Sequence, residues 1–124
     1  IGIINPEYGL GKSTAVNRMN IGKSWGEHAD CHDFIELRKK SKLKDPLDEY
    51  DVVNDTKFGL VVYFNDFEGG ELYYPIQNIE YKPEKGDLVI HSADEHCSHG
   101  VRKVKSKIRY SFANQIYKKI KVPI

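Results

Sequence analysis

The sequence has little of several features that define whole classes of protein. Its 124 residues include only two cysteines, Cys31 and Cys97, which are too few for a disulfide scaffold. No apolar run approaches the roughly 20 residues that a membrane span needs. There is no internal repeat and no low-complexity tract. We therefore expect a soluble, cytoplasmic protein that does not interact with membranes.

A complete phosphate-binding loop is also absent. Gly11-Lys12-Ser13-Thr14 resembles the end of such a loop, but Pro6 stands where the loop requires its first glycine. We do not expect a nucleotide site.

The charges nearly balance, with 19 basic and 18 acidic residues, but they are unevenly distributed. The segment from Val101 to Ile124 contains eight Lys or Arg and no Asp or Glu. We expect a solvated strand face and tail there. The alternative is that this basic segment steers an anionic cosubstrate or partner.

Apolar residues recur mainly with a period of two, which predicts a mainly β protein of the sandwich, jelly-roll or barrel type. Turn signals such as Glu68-Gly69-Gly70 separate the short candidate strands. The predicted strands are Thr14–Ile21, Ser24–Cys31, Lys57–Asn65, Glu71–Pro75, Asn78–Lys82, Asp87–His91, His99–Val104 and Lys107–Tyr117.

We predict a single domain over residues 1–124, interrupted by one long loop. The segment from Leu37 to Asp55 is rich in charge, contains Pro46 and shows little alternation. We expect it to form a loop, flexible over residues 39–55, that serves as a lid or a substrate-facing insert. A merely disordered connection is the alternative.

Three residues form a candidate metal site. On a strand, residues i and i+2 project to the same face, which places His28 beside Asp30. His99, at the start of another predicted strand, would complete a set of two imidazoles and one carboxylate. That set is the facial triad of non-haem Fe(II) oxygenases. The H-x-D spacing alone is weak, because a surface histidine beside an aspartate is common.

Arg109 lies ten residues after His99 and shares a strand face with Ser111, whereas Ile108 and Tyr110 lie on the other face. A buried guanidinium needs an anionic partner, and a dicarboxylate cosubstrate would supply one. The alternative is an arginine paired with a structural acidic residue.

Four blocks, in this order, resemble the prolyl 4-hydroxylase-like 2-oxoglutarate oxygenases over about residues 18–117. The joint occurrence of the four is more specific than any single block. They are Asn20–Asp30, Val62–Leu72, Pro83–Ile90, and His99 together with Arg109-Tyr110-Ser111. The resemblance implies an all-β double-stranded β-helix, or jelly roll, with few or no helices.

The resemblance also implies the roles of individual residues. His28, Asp30 and His99 would hold iron, and Arg109 would bind the distal carboxylate of 2-oxoglutarate as the fourth catalytic residue. Tyr63 matches a tyrosine of the family that also contacts this carboxylate, and Ser111 is expected to assist.

The implied cofactors are Fe(II) and the cosubstrate 2-oxoglutarate, with ascorbate as a candidate third requirement. Dioxygen would be consumed, 2-oxoglutarate would become succinate and carbon dioxide, and a C–H bond would be hydroxylated. Two positions depart from the family pattern. Met19 replaces a frequent tyrosine, and His91, which we interpret as a filler of the barrel interior, replaces an aromatic residue.

The substrate favoured by the resemblance is a prolyl or other peptidyl residue, with Trp25 and the loop from Leu37 to Asp55 near the mouth of the site. A nucleic acid dealkylase of the same superfamily is less favoured, because Gln115 replaces the second arginine of that branch. From a different class, a cupin-like jelly roll could bind a metal or a sugar without redox turnover. Such a module would not need Arg109.

Overall fold

The structure, a computed structural model, describes residues 8–11, 15–30 and 50–123. These ranges contain β-strands and one short 3-10 turn, Glu95–Cys97. The strands are β1 (Tyr8–Leu10), β2 (Asn17–Met19), β3 (Trp25–His28), β4 (Tyr50–Tyr63), β5 (Glu68–Gly69), β6 (Leu72–Tyr74), β7 (Ile79–Tyr81), β8 (Leu88–Ser92), β9 (His99–Val101), β10 (Val104–Ser106) and β11 (Arg109–Pro123).

The strands form two antiparallel sheets. The larger sheet has the order β1-β11-β4-β8, with β2 also paired to β11, and the smaller sheet has the order β3-β9-β6-β7. A short ladder of β5 and β10 accompanies them. This arrangement confirms the predicted all-β jelly-roll class, and no helix in the described ranges is long or apolar enough to cross a membrane.

The apolar core lies between the two sheets because residues that alternate along each strand point inward. Its buried members are Tyr63 from the larger sheet, Leu72 and Val101 from the smaller sheet, and Phe67 from the connection between them. Partly buried apolar side chains pack around this cluster: Met19, Val61, Tyr74 and Val89.

The rest of the interior is polar. Buried polar or charged residues lie beside the core: Thr56, His91, His99, Arg109 and Ser111. Burying a polar group without a partner costs about 1–3 kcal/mol, so such a set requires internal hydrogen bonds or a ligand. Four of these five residues line or adjoin the candidate site described below.

The predicted loop and one predicted strand differ from the structure. The loop predicted from Leu37 to Asp55, with its flexible part over residues 39–55, ends earlier, because β4 already begins at Tyr50. Residues 50–55 pair with β11 through backbone hydrogen bonds, which charged side chains do not prevent. Residues 37–49 lie outside the described ranges. The strand predicted over His99–Val104 is divided into β9 and β10, which pair with different partners.

The predicted turn at Gly69 and Gly70 has the left-handed backbone that favours glycine, with φ of 69° and 63°. A Cβ atom at Gly69 would overlap the carbonyl oxygen of Lys103 and lie 2.8 Å from the backbone nitrogen of Lys105. The close approach of β5 to β10 therefore depends on a glycine at this position.

We expect Gly69→Ala to lower the free energy of unfolding by about 2 kcal/mol or more, since the strained φ alone costs roughly 1–2 kcal/mol. Gly26→Ala is the matched control, because a Cβ there would meet nothing within 4 Å. Denaturant titration of both variants measures the difference. Equal stabilities would contradict this account of the turn.

Candidate active site

The pairing of β3 with β9 brings two histidines together. Trp25 is opposite Val101, whereas His28 is opposite His99, so the register shifts by one residue between these pairs. Such a bulge re-aims side chains on the bulged strand. The rings of His28 and His99 consequently lie with centroids 4.6 Å apart.

Both histidines direct Nε2 toward Asp30, because Nδ1 of each ring is bound to the backbone. Nδ1 of His28 lies 2.9 Å from the carbonyl oxygen of Gly26, and Nδ1 of His99 lies 2.9 Å from that of Cys97. A carbonyl oxygen only accepts, so each Nδ1 carries the proton and donates it. Each Nε2 is left with a free lone pair, which is the usual state of an imidazole metal ligand.

Asp30 completes the cluster from just beyond the end of β3. The predicted strand over Ser24–Cys31 ends earlier, at His28, so Asp30 is placed by a bend and not by strand alternation. Its Oδ1 lies 3.5 Å from Nε2 of His28 and 3.8 Å from Nε2 of His99. One candidate ligand atom from each of the three residues lies within 4.8 Å of the others.

The protonation states suit a metal. Burial alone would raise the pKa of Asp30, but the hydrogen bond from His91 and the nearby imidazoles, those of His99 and His28 included, lower it overall. Burial lowers the pKa of His99. Near neutral pH the carboxylate is therefore ionised and the ring of His99 is neutral, the forms in which they bind metals.

His91 and Tyr74 belong to this cluster, although the sequence analysis assigned His91 only a space-filling role. Nε2 of His91 lies 2.8 Å from Oδ2 of Asp30, and its Nδ1 lies 2.9 Å from the hydroxyl oxygen of Tyr74. Burial raises the pKa of Tyr74 to about 12, so the hydroxyl stays protonated. The sequence signal that could have identified His91 as a site residue was strand alternation, which places it on the same face as Val89.

Gly59 on β4 leaves room for these side chains. It is directly opposite His91 in the larger sheet. A Cβ at Gly59 would overlap Oδ2 of Asp30 and lie 2.7 Å from Nε2 of His91. The larger sheet thus has no side chain at the point where the carboxylate of Asp30 approaches it.

Arg109 lies inside the barrel, as the alternation of β11 predicted. Its side chain donates to Oγ of Ser111 at 3.2 Å and to the hydroxyl of Tyr63 at 3.1 Å. The residue is 4% exposed, and its Nε is buried without a hydrogen-bond partner. No acidic side chain of the described ranges forms an ion pair with it, so the expected alternative of a structural acidic partner finds no support there.

Two aromatic rings lie beside Arg109. The centre of its guanidinium lies 4.9 Å from the ring centroid of Tyr63 and 5.5 Å from that of Phe67. Burial lowers the pKa of Arg109, and burial raises the pKa of Tyr63 to about 12. A buried cation is normally accompanied by an anion, and none of the described residues provides one here.

A single cavity of about 740 Å³ joins the two parts of the site. The histidine and carboxylate cluster lines it together with Arg109 and Ser111, and the exposed Trp25 stands at its rim. Met19, one of the two departures from the family pattern, also lines it and is the backbone partner of Arg109 on β2. A thioether cannot replace the hydroxyl of a tyrosine as a hydrogen-bond donor.

Solved structures with the same fold include two of a viral collagen prolyl hydroxylase from Paramecium bursaria Chlorella virus-1. The 2OG complex has a TM-score of 0.65 at 22% identity, and covers 91% of this chain and 62% of the viral chain. The truncated form has a TM-score of 0.66 at 20% identity, and covers 91% of this chain and 58% of the viral chain. This chain thus spans about six-tenths of the length of the viral enzyme.

A 2OG-Fe(II) oxygenase family oxidoreductase from Burkholderia pseudomallei is also similar, with a TM-score of 0.58 at 22% identity. The match covers 82% of this chain and 41% of the bacterial one. No curated protein matches the chain.

A sequence profile described as the 2OG-Fe(II) oxygenase superfamily matches residues 14–117. The match extends over both parts of the candidate site, and it confirms at the level of the superfamily the resemblance found in the sequence blocks. The protein belongs to the 2OG-Fe(II) oxygenase superfamily, whose members depend on Fe(II) and 2-oxoglutarate.

Proposed function

We propose that this chain is a single catalytic domain that hydroxylates a C–H bond of a prolyl or other peptidyl residue and consumes 2-oxoglutarate and dioxygen. One observation carries the proposal. A buried arginine, for which the described residues supply no acidic partner, shares one cavity with two imidazoles and a carboxylate whose ligand atoms converge.

In this proposal His28, Asp30 and His99 hold Fe(II). Two neutral nitrogens and one ionised oxygen are the donor set of non-haem Fe(II) oxygenases, which leaves other coordination positions open. The backbone carbonyls that hold each Nδ1 fix both rings before a metal arrives. Little rearrangement is then needed on binding.

Arg109 binds the distal carboxylate of 2-oxoglutarate, assisted by Tyr63 and Ser111. The guanidinium supplies the charge and the two hydroxyls can donate further hydrogen bonds to a carboxylate oxygen. The dicarboxylate would provide an anion for Arg109, which the described residues do not supply, and a hydrogen-bond partner for its Nε. This orphaned atom is the reason to assign an anionic cosubstrate to this end of the cavity.

Bound Fe(II) would supply the activation of dioxygen. One oxygen atom would be used to convert 2-oxoglutarate to succinate and carbon dioxide, and the other would enter the substrate C–H bond. The protein contributes positioning and the exclusion of water. Ascorbate would serve to keep the iron reduced.

A peptide is the substrate class that we favour. The structurally similar viral enzyme is a collagen prolyl hydroxylase. At the cavity rim the indole of Trp25, which is 60% exposed, lies edge-on to the ring of His28 with centroids 6.3 Å apart. A flat apolar side chain beside the metal site suits packing against a pyrrolidine ring.

The buried guanidinium disfavours a cupin-like module that binds a metal or a sugar without redox turnover, because such a module does not need it. Gln115 likewise stays an argument against a nucleic acid dealkylase. The free thiol of Cys97 is compatible with the cytoplasmic location that we propose. Mass-spectrometric screening of peptides for the gain of one oxygen atom, with Fe(II), 2-oxoglutarate and ascorbate present, tests the proposal as a whole.

We predict that His99→Ala abolishes the Fe(II)-dependent conversion of 2-oxoglutarate to succinate, since it removes one of three ligands. His96→Ala is the control, because His96 is exposed on the 3-10 turn. Succinate formation by both variants is the measurement. Equal loss of turnover would argue against the assignment of His99.

We predict that Arg109→Met weakens the binding of 2-oxoglutarate by roughly 10- to 100-fold, the equivalent of about one charge-assisted hydrogen bond. The stability of the ligand-free protein should not fall, because the change removes a buried charge that has no anionic partner among the described residues.

The KM for 2-oxoglutarate and the melting temperature with and without it measure both effects. Arg102→Met is the matched control, since Arg102 forms an exposed ion pair with Glu80. Unaltered protection by 2-oxoglutarate in Arg109→Met would contradict the cosubstrate site.

We predict that Trp25→Ala raises the KM for a peptide substrate, by about 10-fold for the loss of one aromatic contact. Turnover of 2-oxoglutarate without peptide should be retained, because Trp25 is exposed and is neither a proposed iron ligand nor a proposed contact of 2-oxoglutarate. Steady-state kinetics with and without peptide separate the two. A parallel loss of both activities would show that Trp25 supports the metal site instead.

A further inference from the structure

The two oxygens of Asp30 have different surroundings. Oδ1 lies between Nε2 of His28 and Nε2 of His99, at 3.5 and 3.8 Å. Oδ2 points away from them and lies 2.8 Å from Nε2 of His91. One oxygen therefore faces the candidate metal position, and the other is held by a residue that is not part of the converging triad.

His91 is fixed by a second hydrogen bond. An ionised carboxylate only accepts, so Nε2 of His91 carries the proton that it donates to Asp30. In the tautomer that carries its proton on Nε2, Nδ1 is an acceptor, and the hydroxyl of Tyr74, 2.9 Å away, donates to it. The side chain of His91 is 6% exposed, so water does not compete strongly for these bonds.

Packing restrains the same pair. The ring of His91 lies with its centroid 4.0 Å from that of His99, and the ring of Tyr74 lies 5.7 Å from that of His99. On the other side, Gly59 provides the space in which Nε2 of His91 meets Oδ2 of Asp30. The pair thus contacts two members of the triad and bridges the two sheets.

We propose that Tyr74 and His91 are positioning residues that hold Oδ2 of Asp30, so that this carboxylate presents Oδ1 alone to the metal. This inference rests on the proposed function, because it requires the triad to bind a metal. A carboxylate held in this way occupies one coordination position, which leaves more positions open for cosubstrate and dioxygen.

The test uses Mn(II) as a redox-inert probe of the intact chain, with binding followed by the loss of the free-ion EPR signal. His91→Phe keeps an aromatic ring and removes the donor, and we expect it to weaken Mn(II) binding by roughly 10- to 100-fold. His91→Gln keeps a donor near the position of Nε2 and should recover most of the affinity. Tyr74→Phe should weaken binding less than His91→Phe does.

The control is His96→Phe, which makes the same change at an exposed histidine and should bind Mn(II) as the unaltered chain does. Thermal unfolding establishes which variants are folded. If His91→Phe does not fold, the comparison of His91→Gln with Tyr74→Phe decides, because both changes conserve size.

Three results would overturn the inference. Unaltered Mn(II) affinity in a folded His91→Phe, or in Tyr74→Phe where His91→Phe does not fold, would show that the pair does not position Asp30. Equal loss in His91→Gln and His91→Phe would show that donation to Oδ2 is not the role of His91. Absence of Mn(II) binding by the unaltered chain would instead refute the metal site, and with it the proposed function.

Discussion

The antiparallel register of β3 and β9 is the constraint on which the candidate metal site depends. It places His28 opposite His99 after a one-residue bulge. Because side chains alternate along a strand, a slip by one residue would turn one histidine to the outer face of the smaller sheet. In both histidines Nδ1 donates to the backbone carbonyl of the residue two positions earlier in the sequence. These two hydrogen bonds therefore form once the local backbone has its shape.

A second register sets the other end of the cavity. Ser111 on β11 is opposite Tyr63 on β4, and Arg109 is two residues before it on the same face. The hydroxyls of both partners are therefore within reach of the guanidinium without any contribution from a loop. The two ends of the site are carried by different sheets, so their separation is set by the packing of Tyr63, Phe67, Leu72 and Val101 between the sheets.

Much of this arrangement could be predicted from the sequence, because strand alternation is a local property. It identified the inward face of Arg109 and Ser111 and gave most strand positions to within a few residues. It correctly grouped His28 with Asp30, although the reason was incomplete, since Asp30 lies beyond the end of its strand. The role of His91 could not be predicted, because it depends on a contact with a residue 61 positions earlier in the chain.

The start of β4 was missed for a related reason. Residues 50–55 have the charge and composition of a loop, and their pairing with the end of β11 is visible only in three dimensions. The short strands β1 and β5 likewise have too few residues to show alternation. Local pattern thus predicts elements with a regular inner face, and it fails where a distant partner determines the conformation.

The lack of a side chain at Gly59 affects which substitutions the larger sheet tolerates. Glycine inside a strand is less favourable than alanine by roughly 0.5–1 kcal/mol, so the larger sheet is locally weaker than it could be. The carboxylate of Asp30 occupies the volume that a side chain there would need. At this point of the larger sheet, selection for a more stable strand and selection for an intact candidate metal site would oppose each other.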